Sequence, residues 1–372
     1  MAQEETAHQE TAHQETTHQA TTHQTTNRLT PNKSIAVAVI GCGYWGPNLI
    51  RNFYFAAPCW VKYCCDLDSN RLNHIVGLYP TVKPTQDYKD ILADPEIQAV
   101  AIATPVKYHF KLVQEALLAG KHVLVEKPIT ATVEEARALR DLSGETGRVL
   151  MVGHTFLYSP AVRKIKEVLK SGELGEILYI RTSRMSLGLF QRDINVIWDL
   201  APHDVSILLY LLEKSPLSVR ACGTAHVTKG VEDVSQVEVD FGGDLVAYLQ
   251  LSWLDPVKVR NLTVVGDKKM LIYDDTAQTD PIRICDTGVK GPRYYDSFGD
   301  FAYSYWYGDT YIPRINNAEP LREEVNHFLE CIESGREPLS GAQNGLDVVE
   351  ILAAANASLA HGGQRVELMP DR

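Results

Sequence analysis

From Ser34 the apolar residues arrive as short runs, "SIAVAVIG", "VKYCC", "QAVAIAT", "KHVLVE" and "RVLMVG", separated by segments of helical periodicity near 47–56, 69–77, 106–119 and 132–145. Runs that are apolar at nearly every position, and this short, read as strands buried on both faces. Strand and helix in alternation predict a parallel sheet with helices on both sides, an α/β architecture. After about residue 156 the rhythm changes. A helix opens at Ser159-Pro160, a strand runs near 175–184, a helix covers 199–212, and then "QVEVDF", "LVAYLQLSW" and "RNLTVVG" follow without helices between them. Strands in succession predict an α+β domain with an open, mainly antiparallel sheet. The segments 319–334 and 341–360 are helical by periodicity, with Gly335 as a stop.

The first strand runs directly into "GCGYWG", which sets Gly41, Gly43 and Gly46 in the G-x-G-x-x-G spacing, with Tyr44 and Trp45 inside the turn. That spacing is a weak signal alone. Here a strand precedes it, and Pro47 follows at a helix start, where a missing N–H costs nothing. Glycines allow close backbone approach, and the helix amino terminus offers free N–H groups to a pyrophosphate. The second strand ends at Asp66, twenty residues on, where a doubly wound Rossmann sheet places an acid against the adenosine ribose. A carboxylate there repels a 2′-phosphate, so NAD is the expected cofactor; Asp68 and Arg71 keep NADP open. The competing reading has Asp66 capping the next helix together with Ser69.

Composition narrows the partners. A net charge of −11 argues against a nucleic-acid or anionic-membrane surface, which would need clustered Lys and Arg. No apolar run approaches the ~20 residues of a membrane span, and the amino terminus is polar, so a cytoplasmic protein is expected. The seven cysteines are odd in number, sit mostly in apolar runs and match no metal-ligand spacing; no metal site is expected. Residues 2–26 repeat a five-residue unit, "TAHQE TAHQE TTHQA TTHQT", placing His8, His13, His18 and His23 in a low-complexity segment that reads as a disordered tail.

Two constellations carry candidate chemistry. "VLVEKPI" closes a buried strand on Glu126 and Lys127, and ligands bind at the carboxyl ends of strands in open α/β sheets. Pro128 pushes Lys127 toward extended backbone, fixing its reach. By position alone, Lys127 reads equally as a group polarising a hydroxyl or as half of a surface pair. In "WDLAPHDVSILLYLL", Asp199 and His203 lie four apart on one helix face, where a carboxylate can orient an imidazole and favour its protonated form. Taken alone, that helix reads more readily as an amino-terminal charge and a core histidine.

Together, "GCGYWG", "ATPVKYH" at 103–109, "ALLAGKHVLVEKPI" at 116–129 and "DLAPHDVSILLYLL" at 199–212 resemble the Gfo/Idh/MocA family, from Ser34 to the end of the chain. "GYWGPN", "SWLDPVKVRNLTVVGDKKMLIYDD" and "EPLREEVNHFLECIESG" look most like its nucleotide-sugar branch, in particular UDP-N-acetylglucosaminuronate 3-dehydrogenases. The resemblance implies a Rossmann domain over 34–156, after a tail over 1–33, and a substrate-binding and oligomerisation domain over 157–372. It implies a small-molecule sugar or nucleotide-sugar substrate and a homodimer or homotetramer. It carries the reacting-hydroxyl role to Lys127, proton acceptance to His203 with Asp199 as companion, and the turn beneath the nicotinamide ribose to Thr104, Pro105 and His109. Tyr158 and Arg163 are substrate-contact candidates. The lead-in "RDINVIWDLAPH" departs from the family's glycine-rich one, so Arg192 and Trp198 are expected to shape a different pocket. An NAD-dependent sugar dehydrogenase is the leading expectation; a keto-sugar reductase using NADPH and a non-catalytic dinucleotide-binding regulator are the alternatives.

Overall fold

The first strand, β1 (Ile35–Ile40), is buried at all six positions. It lies in the middle of a six-stranded sheet with β2 (Cys59–Cys65), β3 (Lys83–Thr85), β4 (Ala99–Ile102), β5 (His122–Glu126) and β6 (Leu150–Gly153). The order is β3-β2-β1-β4-β5-β6 and every pair is parallel. The strand order reverses between β1 and β4, which opens a crevice at their carboxyl ends. The computed structural model describes residues 34–188, 190–191, 194–290 and 304–368; the histidine-bearing tail and Arg192 lie outside them.

Successive residues of β1 point to opposite faces, so Val37 and Val39 enter one apolar layer and Ala36, Ala38 and Ile40 the other. The first layer takes Leu49, Ile50 and Phe53 of α1 (Gly46–Phe55); the second takes Val113, Ala116 and Leu117 of α4 (His109–Leu118). The helices α2 (Ser69–Leu78), α3 (Tyr88–Ala93) and α5 (Val133–Thr146) complete this half. The segment β3-α3 was not legible in sequence, because three residues, two of them exposed, carry no hydrophobic pattern.

The second half is a nine-stranded sheet built on β7 (Ile177–Leu187), β8 (Ser218–Thr224), β9 (Val234–Asp240), β10 (Val246–Ser252), β11 (Leu254–Gly266), β12 (Met270–Asp274), β13 (Ile282–Lys290), β14 (Ser304–Tyr311) and β15 (Val366–Glu367). Its order is β14-β13-β12-β11-β7-β10-β9-β8-β15, and only the β10–β7 pair is parallel. On β7, Ile180, Thr182 and Arg184 are buried beneath α7 (Val196–Leu212), while Arg181 on the other face is exposed. The helix α6 (Pro160–Lys170) begins at the proline, as its sequence requires. Two late helices return to the first sheet. Phe328 of α8 (Pro320–Ser334) packs edge-to-face on Phe53 at 6.3 Å, and Gly345 of α9 (Ala342–Ala360) lies where a Cβ would come within 2.7 Å of Val152. Gly335 ends α8 in the left-handed conformation, φ 68°.

Beneath α7, Arg184 makes a two-pronged ion pair with Asp204, Nε to Oδ2 and Nη2 to Oδ1 both at 3.0 Å, with both residues buried. Breaking one member strands the other's charge, so Asp204→Asn is expected to cost about 3 kcal/mol in denaturant unfolding. An Arg184→Met/Asp204→Leu double variant should recover most of that loss; a double variant as unstable as the single would contradict this account.

Of the seven cysteines, five are buried, Cys285 is partly covered and Cys222 is exposed. Among the described residues, no helix is long and apolar enough to cross a membrane, and no group of three or more His, Cys, Asp or Glu could hold a metal ion.

Candidate active site

The glycine turn is shaped by contact as much as by conformation. Gly41 has φ +97°, and a Cβ there would lie 2.6 Å from the Ala103 carbonyl oxygen; a Cβ on Gly46 would lie 2.0 Å from the Gly41 oxygen. Neither position admits a side chain, so the turn folds flat at the carboxyl ends of β1 and β4. Asp66 accepts from the Cys42 N–H at 2.7 Å and from the Asp68 N–H at 2.9 Å, which holds its carboxylate at the end of β2. It does not cap α2; Asp68 does, accepting from Asn70 N at 2.8 Å. Arg71 lies 3.5 Å from Asp66 and 3.7 Å from Asp68.

The crevice above this turn has a volume of about 910 Å³, the upper range of small-molecule sites. Gly41, Gly43, Tyr44, Trp45, Asp66, Thr104, Pro105, Glu126, Lys127, Trp198 and Asp199 all line it. A dinucleotide fits what is there: glycine backbone at a helix start, a carboxylate at the end of β2, the exposed rings of Tyr44 and Trp45, and the buried, unpartnered Thr104 hydroxyl. Leu67, Gln86, Tyr88 and Lys111 also line it. Sequence reading missed them because Gln86 and Tyr88 follow the short, unpatterned β3.

At the far end of the crevice, β5 delivers Lys127 against the first turn of α7. Its Nζ donates to the Asp199 carbonyl at 2.8 Å and lies 3.7 Å from Asp199 Oδ1. Burial pulls the Lys127 pKa below the ordinary lysine value, against the pull of Asp199 and Glu126. Asn195 caps α7 from its side chain, so the helix starts at Val196, three residues before the sequence pattern indicated. Here one expectation is corrected. Asp199 does not orient His203: its Oδ2 accepts from Trp253 Nε1 at 3.0 Å, and His203 Nδ1 is buried with no hydrogen-bond partner. Nor is the imidazole held protonated. Burial, then the charges of Lys127 and Arg184, push its pKa well below 6.5, so the ring is neutral, packed edge-to-face on Phe156 at 4.9 Å.

Beside Lys127 stand the half-buried Glu126 and, behind it, the buried His154 and Glu324. Burial raises Glu126 to about 7 and lowers His154 to about 3. Glu324 on α8, almost wholly buried with Oε1 unpartnered, is raised well above the usual carboxylate range by burial and then by Glu126. An acid whose folded pKa is raised binds its proton more tightly folded than unfolded, so its ionisation destabilises as pH climbs past the unfolded value. Glu324→Gln is therefore expected to raise the melting temperature by an amount that grows from pH 5 to pH 8. A gain equal at both would contradict ionisation as the cause.

Five expected contacts are not among the residues that line the crevice: Gly46, which starts α1 against the Gly41 oxygen, His203, one turn along α7 from the lining Asp199, and three more. Tyr158 is fully buried, its hydroxyl 3.0 Å from Ser340 Oγ. Arg163 pairs with Glu323 at 3.4 Å across α6 and α8. Both helix-start positions face the packing between α6 and α8 rather than substrate, a distinction helical periodicity cannot make. His109 is buried beneath the crevice wall, its ring nitrogens 2.9 Å from the Pro128 oxygen and 2.7 Å from the Thr104 oxygen.

Comparison with known proteins agrees with this geometry. Residues 35–154 match the model of the oxidoreductase family with an NAD-binding Rossmann fold, and residues 162–272 match the Gfo/Idh/MocA C-terminal domain. The chain belongs to the Gfo/Idh/MocA family. It is an NAD(P)-dependent oxidoreductase acting on an alcohol carbon. The scyllo-inositol 2-dehydrogenase (NAD(+)) of Bacillus subtilis is 26% identical over 344 residues, 88% of this chain and 95% of that one. The UDP-N-acetylglucosamine 3-dehydrogenase of Acidithiobacillus ferrooxidans is 38% identical over 134 residues, 36% of this chain and 42% of that one. Among solved structures, an oxidoreductase from Magnetospirillum magnetotacticum MS-1 superposes with a TM-score of 0.74 at 28% identity, covering 87% of this chain and all of that one.

Proposed function

We propose that the protein is an NAD-dependent dehydrogenase that oxidises a ring hydroxyl of a nucleotide-linked amino sugar or uronic acid. The observation that carries this reading is the meeting of Lys127 and Asp199 at the end of a dinucleotide-sized crevice, with neutral His203 one turn further along α7. The similarity to a UDP-N-acetylglucosamine 3-dehydrogenase supports the nucleotide-linked substrate.

In this mechanism neutral His203 takes the hydroxyl proton, as a base must be unprotonated to do. Lys127 donates to the hydroxyl oxygen as negative charge develops on it, and Asp199, held by the Trp253 indole, fixes the ammonium from below. When bound, nicotinamide supplies the hydride acceptor. Asp66 faces the adenosine ribose and selects NAD over NADP.

The inositol dehydrogenase, similar along nearly the whole chain, supports a second substrate, a free cyclic polyol. The two readings separate in one assay: NADH fluorescence after UDP- and dTDP-linked sugars, uronic acids and free inositols are added to the NAD-loaded protein. Signal with the nucleotide sugars alone supports the first reading, and signal with inositols alone replaces it. Reduction of a 3-keto nucleotide sugar by NADPH without the reverse reaction would favour the reductase. Tight NAD binding with silence across both panels would leave a regulator.

A homodimer or homotetramer is proposed on the exposed sheet face, where Tyr179 and Tyr248 stand uncovered; a monomer by light scattering at all concentrations would remove it.

A further inference from the structure

Arg260 stands directly opposite Arg184 where β11 pairs with β7, so both side chains leave the same face of the sheet. The two guanidiniums meet one ring: Cζ of Arg184 is 4.8 Å and Cζ of Arg260 5.2 Å from the centroid of Phe156. His203 packs edge-to-face on that same ring at 4.9 Å. The pairing of the two arginines differs. Arg184 is 5% exposed, and Asp204 takes both prongs of its fork. Arg260 keeps 30% of its side chain exposed, and among the described residues only its Nη1 meets a side-chain acceptor, Asp275 Oδ2 at 2.9 Å. The other oxygen of Asp275 accepts from the Tyr273 hydroxyl at 2.6 Å, while Arg260 Nε, shut from solvent, has no partner. The guanidinium is therefore held in place with donors to spare.

We propose that Arg260 determines substrate specificity by binding an oxyanion of the substrate, the carboxylate of a uronic acid or the diphosphate of a nucleotide sugar, beside the reacting hydroxyl. The proposal rests on the dehydrogenase reading above and narrows it, since a free cyclic polyol carries no such group. His203 and Arg260 both touch Phe156, so the span between them is that of one aromatic ring, which a hexose and one substituent cover. The charge around the base agrees. After burial, the charges that depress the His203 ring include those of Lys127, Arg184 and Arg260, all cations. Arg184 is closed by Asp204, which leaves Arg260 as the guanidinium with N–H groups to offer. Carboxylate and phosphate are the ligands whose paired oxygens match a guanidinium edge. Loss of one hydrogen bond to a charged group costs about 10- to 100-fold in affinity.

Binding, not turnover, tests this. NADH-loaded protein, which cannot oxidise an alcohol, is titrated by calorimetry and NADH fluorescence with glucose, glucuronate, UDP-N-acetylglucosamine and UDP-N-acetylglucosaminuronate. Arg260→Met should weaken the anionic ligands by about 10- to 100-fold and glucose far less. Weakening of glucuronate and the nucleotide-linked uronate alone assigns Arg260 to the carboxylate. Weakening of both UDP sugars, with glucuronate indifferent, assigns it to the diphosphate. If Arg260→Met does not fold because Asp275 is left unpaired, Arg260→Met/Asp275→Asn, which removes both charges, takes its place. A variant that binds every ligand as the wild type does, or that loses glucose as much as the anions, overturns the proposal and leaves the dehydrogenase reading standing. Silence from both UDP sugars, with a preference for glucuronate over glucose that disappears in the variant, removes the nucleotide-linked substrate and keeps the role of Arg260.

Discussion

Lys127→Met is expected to lower kcat/KM for the sugar by roughly 10²–10³-fold, the usual cost of one donor to a developing oxyanion, while NADH affinity changes little. The expectation follows from where β5 stops. Lys127 is the cation that the strand end delivers to the crevice, 2.8 Å from the Asp199 carbonyl and 3.7 Å from its carboxylate. Methionine preserves the stem and removes the charge. Arginine should rescue poorly, since a planar fork does not replace a compact ammonium that is already hydrogen-bonded below. Burial lowers the lysine pKa, so the alkaline fall in rate should begin below the ordinary lysine value of 10.5. Steady-state kinetics and NADH fluorescence titration read both quantities. A tenfold loss of NADH affinity with kcat intact would assign Lys127 to cofactor binding instead.

The second large effect concerns the base. His203→Asn is expected to lower kcat by roughly 10²–10⁴-fold at neutral pH with little change in melting temperature. The wild-type ring is neutral because burial and the charges of Lys127 and Arg184 depress its pKa well below 6.5. It is therefore ready to accept a proton throughout the neutral range, and the acid limb of the rate profile should lie below 6.5. A limb at or above that value would mean that another group titrates. Asp199→Asn should be milder in kcat than either, because the Trp253 hydrogen bond and the backbone contact to Lys127 both survive it. Equal losses in Asp199→Asn and His203→Asn would revive the orienting role that the hydrogen-bond pattern denies to Asp199.

The places where pattern and structure part company have separable causes. The glycine turn and Asp66 were legible because their chemistry is local: a strand, a flat turn and a helix start within a few residues. Tyr158 and Arg163 misled because a polar or aromatic residue at a helix start looks alike whether it faces ligand or a second helix, and here α8 comes back from far along the chain. Glu324 escaped for the same reason; nothing in "REEVNHF" separates it from the neighbouring, half-exposed Glu323. The spacing of Asp199 and His203 was right for one helix face, yet the partner of the carboxylate proved to be Trp253, fifty-four residues away in sequence.

Local pattern was enough for the alternation of buried strands and helices, the parallel sheet that follows from it, the glycine turn at its centre and the presence of Lys127 at a strand end. These are consequences of periodicity and backbone chemistry within segments. Which polar groups face one another emerged with the packed fold: Trp253 holds Asp199, α8 buries Glu324 behind Glu126, and His203 stays neutral. Those outcomes depend on desolvation and on contacts between distant segments, which no local pattern encodes.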